Sequence, residues 1–391
     1  MSERNDSLRS QLDRIQWCAL VIGLLCVTGC ATAGRLDAAQ FFRSWFVAFL
    51  FWIGLPLGCL VILMIHHLAG GRWGFGVRRL LEAGTRTLPV MALLFIPLLF
   101  GLQALYIWAR PEAVAADALL QHKQPYLNVP FFLVRAAIYF AVWLALAWRL
   151  DRAAAAQDQT PGPGVTQRLT ALSGGGLVAY GVTMTFAAVD WAMSLEPEWF
   201  STVYGVLIMT GQVLGGFALV IIVAALLMKQ KPLADAMTAV QFHDLGKFLF
   251  TFVVFWAYIA FAQYLIIWAG NLPEETSWYH RRFEGGWSGV GIFLMIFHFF
   301  VPFFLLLSAD LKRRPGALAA VAAGVLVVCV VDVFWIVKPA FAKNGFSVHW
   351  MDVAALAGIG GLWVAAFVRQ LKGRSLVPAH DARVEEELRW A

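Results

Sequence analysis

Residues 44–68 read SWFVAFLFWIGLPLGCLVILMIHHL and contain no Asp, Glu, Lys or Arg. A helix of about 20 apolar residues crosses the roughly 30 Å of hydrocarbon in a bilayer and satisfies its backbone hydrogen bonds internally. This run is long enough to do so, and it predicts a membrane-spanning helix. The rest of the chain agrees, because 60% of its 391 residues are hydrophobic, 14% are charged and the mean hydropathy is +0.71.

Nine other runs are also apolar and long enough to span a membrane. The ten predicted spans lie near 17–33, 44–68, 88–109, 130–148, 170–193, 203–228, 246–269, 288–308, 317–337 and 352–370. The first run also resembles a cleavable leader, with Val27-Thr28-Gly29-Cys30 as a lipoprotein cleavage box, but we expect it to be retained as a span. The sequence therefore predicts an all-α integral membrane protein of about ten transmembrane helices.

Two segments of the chain resemble each other. Residues 103–112 (QALYIWARPE) end the third span, and residues 263–274 (QYLIIWAGNLPE) end the seventh. The similarity predicts two four-helix bundles, spans 2–5 and spans 6–9, flanked by spans 1 and 10. Chance similarity between aromatic-rich helix ends is the alternative. The single transmembrane domain, residues 1–391, is accordingly divided into 1–43, 44–202, 203–351 and 352–391.

The polar connections look less ordered. Residues 151–169 contain Ala153 to Ala156 and a Pro/Gly-rich stretch, and we expect a flexible linker between the fourth and fifth spans. Residues 371–391 form a polar tail, which is most simply a short surface helix.

The distribution of Lys and Arg predicts the orientation. With the N-terminus inside, 21 of the 30 Lys and Arg residues fall in the inner segments and eight in the outer loops. This predicts a multi-pass protein of the bacterial inner membrane with cytoplasmic N- and C-termini. The net charge of +6 is then explained by anionic lipid, and no nucleic acid is expected as a partner.

Cofactor ligands are scarce. The five cysteines (Cys18, Cys26, Cys30, Cys59 and Cys329) lie in apolar runs without a CxxC or CxxCH motif, which disfavours disulfides, attached haem c and iron–sulfur ligation. An intrinsic haem b would need facing histidines inside the spans, and His298 alone is plainly deep in a predicted helix. We expect no metal and no tightly bound cofactor in this chain.

Two ionisable residues lie at similar depth near the outer ends of consecutive spans. Arg135 is in the fourth span and Asp190 is in the fifth, so an ion pair between them is expected. A structural clamp is one interpretation. The wall of a quinone pocket, or a proton exit, is the other.

A second set of ionisable residues suggests a proton path. His298 lies near the middle of the eighth span, Asp332 in the outer third of the ninth, and Asp310 at the inner end of the eighth, with His66 and His67 at the inner end of the second. Imidazole and carboxyl groups can relay protons within a membrane, whereas a packing role needs only one hydrogen bond for each. We predict one polar file through the second bundle, with helix packing as the alternative.

The order of motifs resembles a known family. Tyr126-Leu127-Asn128 leads to Phe131-Phe132 and Arg135, and Asp190 to Pro197 (DWAMSLEP) is followed by Trp199-Phe200. With ten spans, this pattern is similar to the NrfD-like, polysulfide-reductase-type membrane subunits of bacterial alternative complex III, and within them to the shorter ActF type. The likeness extends over nearly the whole chain.

The resemblance implies a place in a quinol:cytochrome c or quinol:electron-acceptor oxidoreductase. It implies partners in an ActC-like membrane homologue, an iron–sulfur protein, multihaem cytochrome c subunits and a terminal oxidase, with the haem c and iron–sulfur clusters on those partners. Quinol chemistry in the family belongs mainly to the ActC type, so binding of quinone or quinol by this chain stays open.

Two classes of function follow from the sequence. The first is a cofactor-free respiratory subunit with a scaffold role and a proton-translocation role, which is not catalytic by itself. The second is an independent secondary transporter built from two four-helix repeats. Trp199, Trp278 and Trp350 in the outer loops would either anchor the helices at the interface or contact redox partners.

Overall fold

Ten helices cross the molecule in the described part of the chain. A computed structural model describes residues 2–159, 162–230, 233–342 and 345–378. The ten helices that are long and apolar enough to span a membrane are α1 (Leu8–Ala33), α2 (Ala38–Ala69), α3 (Arg78–Leu99), α4 (Val129–Gln159), α5 (Gly164–Leu195), α6 (Tyr204–Leu227), α7 (Ala239–Gly270), α8 (Trp287–Leu307), α9 (Pro315–Ala340) and α10 (Trp350–Lys372). The predicted all-α membrane fold is confirmed.

Short helices lie between the spans. They are Arg72–Phe75, Leu102–Leu105, Ile107–Ala109, Pro111–Ala116, Ala118–Lys123, Leu233–Ala236, Pro273–Phe283 and Ala309–Arg313. Two of the spans are irregular: α3 joins helix Arg78–Thr85 to helix Leu88–Leu99, and α8 contains a π-helical turn, Met295–Phe300.

The third span begins about three turns earlier than the sequence predicted. It starts at Arg78 rather than near residue 88, and it ends at Leu99. The early start was missed because Arg78 and Arg79 look like loop residues, yet both bond to the buried Glu82 and are buried themselves. Gly101 lies just beyond the end of the span, and Tyr106 after it is extended.

This shift affects the predicted repeat. Residues 103–109 lie in two short helical turns outside α3, joined by the extended Tyr106, whereas the matching residues 263–269 are part of the continuous helix α7. The two similar segments therefore have different conformations. Superposition of the two halves stays a prediction.

The predicted flexible linker is mostly helical. α4 continues to Gln159 and the next helix starts at Pro163, so most of residues 151–169 are helical. Ala153 to Ala156 explain this, because alanine has the highest helix propensity. The surface helix predicted for residues 371–391 falls largely outside the described residues, which end at 378.

The packing is organised around α2 and α6. α2 contacts α3, α5, α6 and α10, and α6 contacts α7 and α9 as well. The α2–α6 crossing is close: a Cβ atom on Gly58 would lie 2.0 Å from the backbone oxygen of Gln212. Small residues permit such approaches in membranes, where packing rather than hydrophobic burial drives helix association. α1, by contrast, packs mainly against α10 and is otherwise exposed.

Both described ends of the chain lie on one side of the molecule. Asp13 at the start of α1 forms an ion pair with Lys372 at the end of α10. The ends of α3, α4 and α10 meet on the same side, where Arg374 binds Asp151 and Arg79 binds Asp158. We refer to this side as inner and to the opposite side as outer.

Candidate functional site

One buried indole connects two of the residues predicted for the proton path. Trp256, halfway along α7, donates a hydrogen bond from Nε1 to Oδ2 of Asp332 over 3.2 Å. Its ring also packs against the imidazole of His298, with the ring centroids 4.0 Å apart. These three residues come from α7, α8 and α9, and we refer to them as the Trp256 centre.

His298 lies on the π-helical turn of α8 and is fully buried. Its Nε2 atom is 3.7 Å from Sγ of Cys329, and its Nδ1 atom has no hydrogen-bond partner among the described residues. An unpaired buried polar atom costs about 1–3 kcal/mol, and π-turns occur frequently at functional sites. The imidazole therefore has one buried nitrogen to which no described residue bonds, which a packing role alone does not explain.

Asp332 is 6% exposed and forms no ion pair with a described residue. It borders a cavity of about 50 Å³ between α2, α5, α6 and α9, which also contains Gln212 and is otherwise mainly apolar. Such a volume holds a few waters, each needing at least 10–15 Å³. A buried carboxyl group without a neighbouring cation, beside space for water, is suited to holding and releasing protons.

The remaining residues of the predicted file lie elsewhere. Asp310 is exposed in the short helix Ala309–Arg313, and twelve residues separate it from His298, or about 18 Å of helix. The buried side chains of α8 between them are apolar, namely Pro302 and Leu306. The structure thus brings His298 and Asp332 together without Asp310.

The two histidines of α2 lie in the first half of the molecule. Nδ1 of His67 is 3.0 Å from Oγ of Ser173 on α5, and the ring of His66 packs against Trp73 at a centroid distance of 5.3 Å. Both side chains are buried at the inner end of α2. They have local contacts there and take no part in the Trp256 centre.

The expected pair between Arg135 and Asp190 is present and is bidentate. Arg135 Nε lies 2.7 Å from Asp190 Oδ2, and Arg135 Nη2 lies 2.9 Å from Oδ1. Tyr139 donates a further hydrogen bond to Oδ2, and the guanidinium stacks over the Tyr126 ring at 3.9 Å. Asp190 is fully buried, and both of its oxygens are occupied. This geometry favours the structural clamp between α4 and α5.

A cavity of about 420 Å³ opens beside the clamp at the outer surface. Tyr126, Trp199, Phe200 and Lys123 are among its lining residues, whereas Arg135 and Asp190 are not. Burial raises the pKa of Tyr126. The cavity is thus lined by these aromatic side chains and not by the ion pair, and a quinone pocket at Arg135 and Asp190 stays a prediction.

The sequence analysis missed a buried ionic network on the outer side. Arg282 is fully buried, and its Nη2 atom lies 3.1 Å from Oε2 of Glu196 and donates to the backbone oxygen of Ile336. Arg281 lies 2.7 Å from the other oxygen of Glu196. Burial lowers the pKa of Arg282, and the Glu196 carboxylate opposes that shift. The network ties the loop after α5 to the helix before α8 and to the end of α9.

An aromatic pair reinforces the same region. Trp199 and Trp278 stack with centroids 4.9 Å apart, and Arg282 lies over the Trp278 ring at 3.5 Å. Two of the three loop tryptophans expected at a partner surface are thus buried inside the protein. Trp350 is 53% exposed. The sequence shows the basic residues at 281–282 and the acidic Glu196. It contains no signal that they contact each other, because Arg282 and Glu196 are 86 residues apart.

A second outer pair joins α9 to α10. Lys338 Nζ lies 2.6 Å from Asp352 Oδ1, which also accepts a hydrogen bond from Ser44 of α2 over 2.6 Å. All three side chains are buried. On both sides of the membrane, therefore, buried charges fix how the helix ends meet.

No group of three or more His, Cys, Asp or Glu side chains that could hold a metal ion occurs within residues 2–159, 162–230, 233–342 and 345–378. Comparison with protein-family models gives no match for this chain, and comparison with curated proteins gives none either.

Proposed function

We propose that this chain is a membrane subunit of a respiratory quinol:electron-acceptor oxidoreductase. Within that class, we propose the ActF-type subunit of alternative complex III in the bacterial inner membrane, with both termini cytoplasmic. The proposal rests on the resemblance in residues 126–135 and 190–200. Electrons would pass through haem c and iron–sulfur clusters on partner subunits, and this chain would not be catalytic by itself.

One observation carries the proposal. The run from Asp190 to Pro197, which is the most specific part of the resemblance, also organises the outer side of the molecule. Asp190 joins α4 to α5, and Glu196 joins the loop after α5 to Arg282 and the end of α9. The segment that carries the resemblance therefore also shapes the outer side, where extrinsic subunits would bind.

The Trp256 centre supports a role in proton movement. Asp332 and His298 lie on neighbouring helices and contact the same indole, and Asp332 also borders a small cavity with space for water. Groups that can take up protons at membrane depth are typical of proton relays. Quinol oxidation releases protons. A centre that takes up protons could therefore serve such a complex even though this chain would bind no redox group itself.

The alternative is an independent secondary transporter. A central cavity with a buried carboxyl group favours it. In transporters of that kind, however, broken helices occupy corresponding positions in the two halves. Here α3 is interrupted near Thr87 while α7, its expected counterpart, is continuous. The broken element of the second half is α8, so the breaks do not correspond.

Purification from native membranes separates the two functions. A tag would be placed after Ala391, which the proposal puts on the inner side, and the full chain extracted in a mild detergent. We expect co-purification of a multihaem cytochrome, an iron–sulfur protein and a second, homologous membrane subunit, with haem c absorbance in the peak. A stable solitary chain that moves a solute in proteoliposomes would support the transporter instead.

A further inference from the structure

Three arginines at the inner ends of α4 and α5 have no carboxylate partner among the described residues. Arg149 and Arg152 are exposed on α4 and Arg168 is exposed on α5, and none forms an ion pair with a described residue. The two carboxylates of the same part of α4 are used elsewhere, because Asp151 binds Arg374 and Asp158 binds Arg79. Within the part of the chain that the structure describes, the positive charge on this surface is therefore unbalanced.

The register of the two helices gives the level of each arginine along the groove where α4 and α5 meet. Hydrogen bonds from Arg135 to Asp190, Trp143 to Thr183 and Gln157 to Thr166 fix which residues of the antiparallel pair lie level. In that register, Arg149 lies level with Gly175, and Arg168 lies level with Ala156. A Cβ atom on Gly175 would have no neighbour within 4 Å, so the groove is open there.

The spacing along the groove follows from the same register. Arg149 and Arg168 are about seven residues, or roughly 10 Å, apart along the helix axes. Arg152 lies between these two levels. It stands over the ring of Trp148, with the guanidinium carbon 5.5 Å from the ring centroid.

The depth of this surface matches the lipid headgroups. Val129 and Arg149 are separated by about 20 residues, which is roughly the 30 Å of the hydrocarbon layer. Trp148 is 59% exposed and faces outward from the helix bundle. An exposed tryptophan beside arginines at this level is typical of the membrane interface.

We propose that Arg149 and Arg168, with Arg152 between their levels, bind the headgroup of an anionic phospholipid with two phosphates, of which cardiolipin is the probe. Guanidinium groups bind phosphate oxygens bidentately, and basic surfaces between spans on the cytoplasmic side bind such headgroups. Arginines at both ends of a roughly 10 Å groove suit two phosphates better than one. The acyl chains would lie along the exposed apolar face of α5, which includes Val178 and Val182.

The test measures lipid retention by native mass spectrometry on the purified, delipidated complex or full chain. Cardiolipin and phosphatidylcholine are added separately in detergent. The Arg149→Gln/Arg168→Gln variant is compared with Arg35→Gln, which removes an exposed arginine at the opposite side. We expect selective retention of cardiolipin, a loss of affinity of roughly fivefold for each of the two arginines, and no change for Arg35→Gln.

Three results would overturn the proposal. These are equal retention of cardiolipin by the double variant, equal retention of phosphatidylcholine and cardiolipin by the unaltered protein, and displacement of cardiolipin by millimolar inorganic phosphate, which would indicate a soluble anion as the ligand. Matching thermal unfolding of the variants shows that the substitutions leave the fold intact. None of these results depends on whether the chain belongs to a quinol oxidoreductase.

Discussion

Asp332 and His298 differ from the other ionisable residues of the spans in how their polar atoms are used. Arg135 donates two hydrogen bonds to Asp190, one to each carboxylate oxygen, and Lys338 donates to both carboxylate oxygens of Asp352. Asp332 receives one indole N–H, and Nδ1 of His298 has no partner within the described residues. An ionisable group whose polar atoms all have hydrogen-bond partners suits a structural role. A group with unpaired polar atoms beside a cavity suits proton exchange.

The Trp256 centre gives the first prediction. Asp332→Asn keeps an oxygen for the Trp256 hydrogen bond but cannot release a proton at neutral pH. We expect an assembled complex with a lower ratio of protons moved to electrons transferred, measured in proteoliposomes during quinol oxidation. His298→Ala should behave in the same way. Asp310→Asn, an exposed residue outside the centre, is the control and should leave the ratio unchanged.

Helix packing alone would give a different pattern. Asp332→Asn and His298→Ala would then lower the yield of assembled complex, and the complex that survived would be coupled normally. An assembled His298→Ala complex with an unchanged proton-to-electron ratio would contradict the proton role.

The clamp between α4 and α5 gives the second prediction. Arg135→Ala leaves the carboxylate of Asp190 buried without its cation, and loss of one partner of a buried ion pair costs about 3–5 kcal/mol. We expect a clearly lower melting temperature in detergent. Unfolding is measured by size-exclusion chromatography with fluorescence detection after heating. Arg135→Met combined with Asp190→Leu should recover much of that loss, because no charge is left unpaired. An Arg135→Ala protein that melts like the unaltered chain would argue against a clamp.

Sequence reasoning at this scale succeeded for residues on consecutive spans. Arg135 and Asp190 were paired correctly because their depths match on neighbouring antiparallel helices. Glu196 and Arg282 were not paired, because their contact depends on how distant loops fold over the outer side. Asp310 was grouped with His298 by depth alone, and depth says nothing about which way a side chain faces.

At the scale of helices, α2 and α6 approach each other closely in the centre of the fold. Gly58→Ala would place a methyl group 2.0 Å from the Gln212 backbone oxygen, so the helices must separate. Overpacking of this kind costs about 1–3 kcal/mol. We expect a lower melting temperature and weaker expression for Gly58→Ala.

Gly175→Ala is the matched control for that substitution. Both glycines lie within spanning helices, but a Cβ atom on Gly175 meets no atom within 4 Å. Alanine also has the higher helix propensity. Gly175→Ala should therefore melt at the same temperature as the unaltered chain or slightly above it. If both variants were destabilised equally, the close approach of the two helix backbones at Gly58 would not be the cause of the lower melting temperature.

The helices also show where hydropathy is and is not enough. Ten spans were found because each contains an apolar run long enough to cross a bilayer. The bounds of α3 and the helical continuation of α4 were missed, because buried ion pairs and alanines extend helices into segments that look like loops. The π-turn around His298 has no signal in hydropathy.

At the scale of the whole molecule, the orientation can be tested with cysteines. In a background lacking the five native cysteines, Arg35→Cys lies on the outer side and Arg152→Cys on the inner side. Both positions are exposed. We expect a membrane-impermeant maleimide to label Arg35→Cys in intact cells and Arg152→Cys only after lysis. The reverse pattern would place both chain ends outside.

The central claim is that this chain works as a membrane subunit inside a larger redox assembly. Its most direct test is an electron cryo-microscopy map of the particle purified through this chain from native membranes. The account predicts extrinsic haem and iron–sulfur subunits over the outer side, where Glu196 and Arg282 fix the loops, and a homologous membrane subunit beside this one. A particle containing this chain alone, or one with a redox centre bound between its own helices, would contradict the account.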